Sequence, residues 1–341
     1  MRFRPLRSAG PLGTGEDVPP PPEVMQAAVI DGIGASPRLA ELPVPTPVLS
    51  ELLIRVVAAG VNPIDAKTRA GAGVATQIPG FPVALGFDFS GVVVASPYEA
   101  HPLRPGAEVF GMVPFPRTGG SFAEYVIVPS QSVARKPASL SHAEAAGVPL
   151  AALTAWGLVV ETAHAHEGQR MLIHAGAGGV GHFAVQLASY FGARVTATAS
   201  AGNAAWLREL GAATVIDYTT TRFEEVLGDM DVVIDLVGNA NGGDTGSRSL
   251  QVLRPGGLYV LVPTGSWPDY ADAADAAGVR ATSFKVIPDG DVLATLARLL
   301  DSRAIQVYID AVHPLAETAQ ALASLEGGHT RGKTVVRISE D

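Results

Sequence analysis

The sequence predicts an α/β protein built on a doubly wound parallel sheet, joined to a second, turn-rich β domain. Three observations carry this. Between Met171 and Ser200 an apolar strand, a glycine-spaced loop, a helical pattern and a second strand arrive in the order of a βαβ unit. From there to Pro263 short apolar strands alternate with helical stretches, the pattern that lays parallel strands side by side. From Met25 onward, ahead of that unit, short β-type runs follow one another between glycine and proline.

Taken in order, residues 1–24 hold three arginines, Pro5, Pro11 and the run Pro19–Pro22, with no apolar stretch of secretory type. They read as a disordered extension. The β runs are MQAAVIDG from Met25, LLIRVVAAGVN, FPVALGFDFSGVVVA, AEVFGMV and GSFAEYVIVP. At Ser141 the character changes: Ser141-x-x-Glu144 is a capping-box pattern, and an Ala/Leu-rich helix is expected from there to about Val160. After Met171–His174 and the loop Gly176-x-Gly178-x-x-Gly181, the stripe Phe183, Leu187, Phe191 marks a helix that Gly192 ends. A strand at Val195–Ala199, a helix at Asn203–Leu210, and strands at Thr214–Tyr218, Asp231–Val237 and Leu258–Pro263 complete the alternation. Ser283–Ile287 leaves the sheet, and helix, strand, helix, strand follow at Asp291–Leu300, Gln306–Val312, Leu315–Leu325 and Lys333–Ile338.

The glycine loop points to a dinucleotide. One glycine makes the tight turn, one lets the backbone approach a pyrophosphate, and Gly181 lets helix and strand pack closely. The end of the second strand bears on which dinucleotide. An NAD-preferring site usually has an acidic residue about 20 residues past the loop, yet none occurs from His182 to Arg208. Ser200, followed by Asn203, stands there instead. A carboxylate about 4 Å from a 2′-phosphate would cost about 4 kcal/mol near a protein surface, so its absence permits NADP. No lysine or arginine follows immediately, and the charge partner of the phosphate must come from elsewhere.

Composition narrows the rest. The net charge of −9 opposes nucleic acid and anionic lipid. The absence of cysteine excludes disulfides and a thiol nucleophile and suits a reducing, cytoplasmic compartment. No uninterrupted apolar run reaches the ~18 residues of a membrane span. His164-Ala-His166 lacks a third ligand nearby, so no metal site is expected, and His174 reads as a core histidine.

These residues resemble the zinc-free quinone oxidoreductase branch of the medium-chain dehydrogenase/reductases, along the whole of residues 25–338. The match is carried by Gly60-Val61-Asn62-Pro63-Ile64-Asp65, Gly86-Phe87-Asp88-Phe89-Ser90-Gly91, Ala175-Gly176-Ala177-Gly178-Gly179-Val180-Gly181 and His329-Thr330-Arg331-Gly332-Lys333. The resemblance implies a GroES-like β-barrel substrate domain from residues 25–147 and 286–341, a Rossmann dinucleotide-binding domain at 148–285, and a homodimer. In zinc-dependent relatives a cysteine follows Gly-Val and a His-Glu pair sits in the later turn. Asn62, and Phe87 with Asp88, occupy those places here.

With neither metal nor thiol, the reactive group is the cofactor, with the protein orienting and polarising a small-molecule substrate. The resemblance implies NADPH as the hydride source, and a quinone or an activated alkene (an α,β-unsaturated carbonyl) as acceptor. It places Asn62 and Lys67 near the nicotinamide and the substrate oxygen, with Lys67 as the cation that stabilises a developing oxyanion. By the same resemblance Thr154 would face the nicotinamide amide, Gly176, Gly178, Gly179, Val180 and Gly181 would form the phosphate loop, Ser200, Asn203 and Tyr218 would lie at the 2′-phosphate, Gly238 and Thr264 would approach from strand ends, and Lys333 would close the site. Trp267–Gly278 is expected to line or cover the pocket, with Tyr270 as a candidate proton donor. Two alternatives stand beside this reading: metal-free interconversion of ketone and alcohol, and a non-catalytic NADPH-binding protein of structural or regulatory role.

Overall fold

The computed structural model describes residues 18–115, 119–328 and 330–340. Residues 1–17, most of the expected extension, and His329 of the C-terminal motif lie outside them.

The chain begins with β1 (Val24–Ile30) and β2 (Arg38–Pro43), which form an antiparallel sheet with the short β4 (Val83–Ala84) in the order β2-β1-β4. The next strand, β3 (Glu51–Val61), is buried on both faces along nearly its whole length, which is why it reads as a continuous apolar run. Around it gather β5 (Asp88–Ala95), β6 (Glu108–Met112), β7 (Tyr125–Pro129) and β8 (Val133–Arg135). Two strands from far along the chain, β15 (Ile309–Pro314) and β16 (Lys333–Arg337), complete the seven-stranded sheet β15-β16-β3-β5-β6-β8, with β7 also paired to β3. The short helix α1 (Pro63–Arg69) leaves the end of β3 directly, started by Pro63.

Ser141 caps α2 (His142–Ala146) as its sequence predicts: its Oγ accepts from the Glu144 N–H at 3.3 Å, and the Glu144 carboxylate accepts from the Ser141 N–H at 2.9 Å. The single helix expected to Val160 is in fact three segments. Pro149 has no N–H to donate to the preceding turn, so the helix stops and restarts as α3 (Pro149–Trp156). It then widens into a π-helical turn over Gly157–Thr162. Gly157 makes room there, since a Cβ would stand 2.1 Å from the Phe284 ring.

The doubly wound sheet follows. Its strands are β9 (Arg170–Ile173), β10 (Arg194–Ala199), β11 (Thr214–Asp217), β12 (Met230–Asp235), β13 (Leu253–Leu261) and β14 (Arg280–Ser283). They lie in the order β11-β10-β9-β12-β13-β14 and every pair is parallel. The order reverses between β9 and β12, and in such sheets the ligand crevice opens at that reversal, beyond the carboxyl ends of the strands. Strand β14 goes beyond the sequence reading, because a four-residue polar edge strand carries no apolar period. The helices are α4 (Gly181–Tyr190), α5 (Ala204–Glu209), α6 (Thr245–Ser249) and α7 (Tyr270–Ala276), then α8 (Gly290–Asp301) and α9 (Thr318–Glu326) outside the parallel sheet. Every residue of α4 from Gly181 to Ala188 is buried. One apolar core joins the two sheets, with Ile54, Phe89 and Val109 in the same cluster as Ile173, Phe183 and Ile234.

Candidate active site

The loop after β9 is shaped by its small residues. Ala175 sits at φ 49°, and the Gly178 N–H returns to its carbonyl at 3.0 Å. A Cβ on Gly181 would stand 2.2 Å from the Ala175 oxygen and 2.8 Å from the Gly176 Cα, so α4 can begin against the loop only with glycine there. Among the described residues the N–H groups of Gly179, Val180 and Gly181 donate to no backbone carbonyl. They are the open donors of a helix start, and a pyrophosphate fits that cradle.

The strand register brings the expected nucleotide residues to the same edge. Ala199 on β10 pairs with Asp217 on β11, so Ser200 and Tyr218 leave neighbouring strand ends one residue later. Asn203 stands beside them, its amide donating to the Ser200 Oγ at 3.2 Å. In the same way Asp235 on β12 pairs with Leu261 on β13, and Gly238 and Thr264 each follow three residues on. Gly238 adopts φ 70°, and its N–H and that of Val237 both donate to the buried Asp235 carboxylate at 2.8 Å. That carboxylate also accepts from the Tyr259 hydroxyl at 2.6 Å. Burial and the Asp235 charge push the Tyr259 hydroxyl pKa upward, so it remains a donor.

Beside the loop lies a fully buried polar cluster. The Asn62 amide donates to Asp88 Oδ2 at 2.9 Å, and the Lys333 ammonium donates to Asn62 Oδ1 and, at 3.1 Å, to the Val61 carbonyl. Lys333 Nζ stands 3.7 Å from Asp88 Oδ2. Asp88 Oδ1 accepts from the Leu150 N–H, and Asp65 Oδ2 from the Asn62 N–H, each at 2.8 Å. The stem of Lys333 covers the phosphate loop: a Cβ on Gly179 would lie 3.1 Å from its Cδ. Burial is the largest influence on all three charges. It raises Asp65 to about 8, helped by the nearby Asp88 charge. It raises Asp88 to about 6 against the opposing pull of Lys333, and it lowers Lys333 against the pull of both carboxylates. At neutral pH Asp88 is then a carboxylate and Asp65 a neutral acid. An amide already bonded at both ends and a buried ammonium are poor company for a cation, so this donor set does not fit a zinc ion. Among the described residues no three His, Cys, Asp or Glu side chains are grouped to hold a metal.

Asn62, Gly179 and Lys333 are thus brought together. Thr154 is buried on α3, its hydroxyl donating at 2.7 Å to the carbonyl of Leu150, the same residue whose N–H donates to Asp88. Lys67 is not part of the cluster: it is exposed on α1 and, among the described residues, has no ion pair. Tyr218 and Thr264 are exposed at their strand ends. His174 is a core histidine as expected, bonded to Thr198 at 3.0 Å and Ser249 at 2.9 Å and lowered to about 4 by burial. His164 and His166 are exposed on a loop and face backbone carbonyls. Tyr270 starts α7, and Trp267 packs against Tyr259 with ring centroids 5.8 Å apart. Sequence reasoning missed Asp65, Asp235 and the positioning part of Asp88. The turn signature around Asp88 was visible, but nothing in it tells a buried carboxylate from an exposed one.

Residues 49–138 match the family model for an alcohol dehydrogenase GroES-like domain, and residues 210–336 that for a zinc-binding dehydrogenase. The chain is 34% identical over 360 residues to a mitochondrial NAD(P)H oxidoreductase, RTN4IP1, of Danio rerio, covering 93% of this chain and 92% of that one. It is 38% identical over 296 residues to a 2-methylene-furan-3-one reductase of Solanum lycopersicum, covering 84% and 71%. The structure of the quinone oxidoreductase from Coxiella burnetii superposes with a TM-score of 0.87 at 36% identity, over 93% of this chain and 100% of that one. The chain belongs to the zinc-free quinone and enoyl reductase branch of the medium-chain dehydrogenase/reductases. Of the residues that the resemblance sets at the places of the zinc-dependent relatives' Cys and His-Glu pair, Asn62 and, beside Phe87, Asp88 are tied to each other and to Lys333. Among the described residues no helix is long and apolar enough to cross a membrane.

Proposed function

We propose that the reductase uses NADPH to reduce a quinone or an α,β-unsaturated carbonyl. The observation that carries the reading is the buried Asn62–Asp88–Lys333 cluster against the phosphate loop, a metal-free floor where zinc-dependent relatives keep their ion. Two of the relatives are named for such acceptors, the 2-methylene-furan-3-one reductase and the quinone oxidoreductase, which supports the substrate class. Residues 148–285 form the dinucleotide unit in this reading, and residues 25–147 with 286–341 the substrate unit. The confinement of the six-stranded, all-parallel sheet to 170–283 supports that division.

When bound, the nicotinamide supplies the hydride. The glycine loop and the open N–H groups of Gly179, Val180 and Gly181 hold the pyrophosphate. Ser200, Asn203 and Tyr218 receive the 2′-phosphate at the strand ends. Asn62, locked by Asp88 and Lys333, and Thr154 fix the nicotinamide ring, so that orientation rather than acid–base chemistry lowers the barrier. Lys67, free at the surface of α1, stabilises the substrate oxygen as it gains charge. A homodimer and a cytoplasmic location complete the reading; sedimentation of the purified protein tests the first.

The test is turnover. NADPH oxidation is followed with a panel of quinones, enones and saturated ketones. Turnover of quinones or enones with NADPH is expected; reduction of ketones alone, or of nothing in the panel, refutes the proposal.

A further inference from the structure

The strand end after β10 carries no cation of its own for a 2′-phosphate, and the chain supplies one from the far end of the sequence. The guanidinium carbon of Arg331 lies 4.1 Å above the Trp206 ring and 4.8 Å from the Tyr308 ring, which themselves stand 5.2 Å apart. Trp206 sits on α5 three residues beyond Asn203, and residues three apart share a helix face. Asn203 in turn holds the Ser200 hydroxyl. Trp206 also stacks with His182, ring centroids 6.1 Å apart, whose Nδ1 faces the Gly178 carbonyl of the phosphate loop at 3.0 Å. Directly after Arg331, the Gly332 N–H donates to the Ala177 carbonyl at 2.9 Å and ties this segment to the loop. Arg331 is therefore clamped between the phosphate loop and the strand end where the adenosine ribose is read.

What the clamp omits is an anion. Among the described residues Arg331 makes no ion pair and no side-chain hydrogen bond, and its Nε is buried without a partner. A guanidinium carries five donors. Stacking on an aromatic face satisfies part of its charge and none of its donors. A buried donor without an acceptor is a standing cost, relieved when an acceptor arrives. Arg208, also on α5, lies two residues past Trp206 and is exposed, so it does not share this shelf.

We infer that Arg331, held over the Trp206 ring, is the cation that reads the 2′-phosphate of NADPH and sets the preference for the phosphorylated dinucleotide. The inference rests on the NADPH reading above and assigns its specificity to a residue outside the sheet. Arg331 makes charge-assisted hydrogen bonds to the phosphate oxygens while Ser200 and Asn203 contact them from the strand side.

The experiment is separate titration of NADPH and NADH, followed by nicotinamide fluorescence, into the full-length protein and its Arg331→Gln variant, with thermal unfolding of both apo forms. The unaltered protein should bind NADPH at least tenfold more tightly than NADH. Arg331→Gln should lose at least tenfold for NADPH and change less than twofold for NADH. Arg331→Lys, which keeps the charge and loses the flat fork, should fall between and serves if the glutamine variant does not fold. In the unaltered protein, 2′,5′-ADP should perturb tryptophan fluorescence at concentrations where 5′-AMP does not. Equal weakening of NADPH and NADH would overturn the inference by moving Arg331 to the pyrophosphate or to the fold, and unchanged NADPH binding would overturn it outright. If the unaltered protein binds neither dinucleotide, the NADPH reading itself falls and takes this inference with it.

Discussion

Replacing Lys333 by methionine removes the one cation from the buried cluster while keeping the length of the stem that covers Gly179. Lys333 Nζ stands 3.7 Å from Asp88 Oδ2, and at an effective dielectric of about 20 that separation corresponds to about 4 kcal/mol of attraction. Removing one partner of a buried pair typically costs 3–5 kcal/mol, because the other charge is left uncompensated. Lys333→Met should accordingly lose about 4 kcal/mol in urea unfolding at pH 7.5, and the loss should depend on pH. Asp88 already titrates near 6 in the unaltered protein, its carboxylate disfavoured by burial. Without the ammonium its folded pKa rises further, so the penalty is fully present above that value and disappears as the pH falls and the carboxyl becomes neutral. At pH 5 the variant should lie within about 1–2 kcal/mol of the parent, the residue being the lost donors to Asn62 Oδ1 and the Val61 carbonyl. Adding Asp88→Asn should recover most of the stability at pH 7.5. An equal loss at both pH values, with no recovery in the double variant, would refute the charge balance drawn for this cluster.

Three further outcomes follow from the same geometry. Asp65 is raised to about 8 in the folded protein, so its contribution is greatest below about pH 4 and is lost as the pH climbs through 8; Asp65→Asn should therefore gain on the parent by about 1.4 kcal/mol per pH unit across that window, and a constant difference in unfolding free energy would contradict it. Gly181→Ala sets a methyl 2.2 Å from the Ala175 oxygen, a backbone atom that cannot swing away, and should weaken dinucleotide binding by more than tenfold in a fluorescence titration; full affinity would mean that the loop relaxes. Ser200→Asp puts a carboxylate where the 2′-phosphate is expected and should weaken NADPH at least tenfold while leaving NADH within a few fold, a result read by comparing the two titrations.

The parallel sheet was legible because its signal is local: most strands and helices between Met171 and Pro263 carry their own apolar period, and glycines mark several of the turns between them. The same holds for the Ser141–Glu144 cap. The helix beyond it was overextended because an Ala/Leu-rich run hides the effect of a single proline, and Pro149 breaks it. Strand β14 escaped notice because Arg280–Ser283 is short and polar, and its place at the sheet edge comes from pairing with β13. The residues of the site divide in the same way. Gly176 to Gly181, Ser200 and Tyr218 follow strands that could be counted, and register alone brings them to one edge. The links from Asn62 to Lys333 and from Trp206 to Arg331 are contacts between distant parts of the chain, which no window of sequence contains. Burial made the difference at Asp65 and Asp88, whose side chains look like ordinary surface carboxylates until the packing around them is known.

The bond between Asn62 and Lys333 spans 271 positions, and the pairing of Val61 with Thr334 on β16 encloses that span. Everything between, including the whole parallel sheet, is in effect one long insertion whose two ends must meet. Contacts of such sequence separation form late, since the entropy of closing the loop must be met before they contribute. The parallel sheet, made of neighbouring βα segments, can assemble first and shorten the gap. A refolding molecule therefore acquires its phosphate cradle before its metal-free floor. During recovery from denaturant, the ability to hold a dinucleotide should return ahead of the ability to reduce anything with it, and the interval between the two measures how long the chain takes to find its own far end.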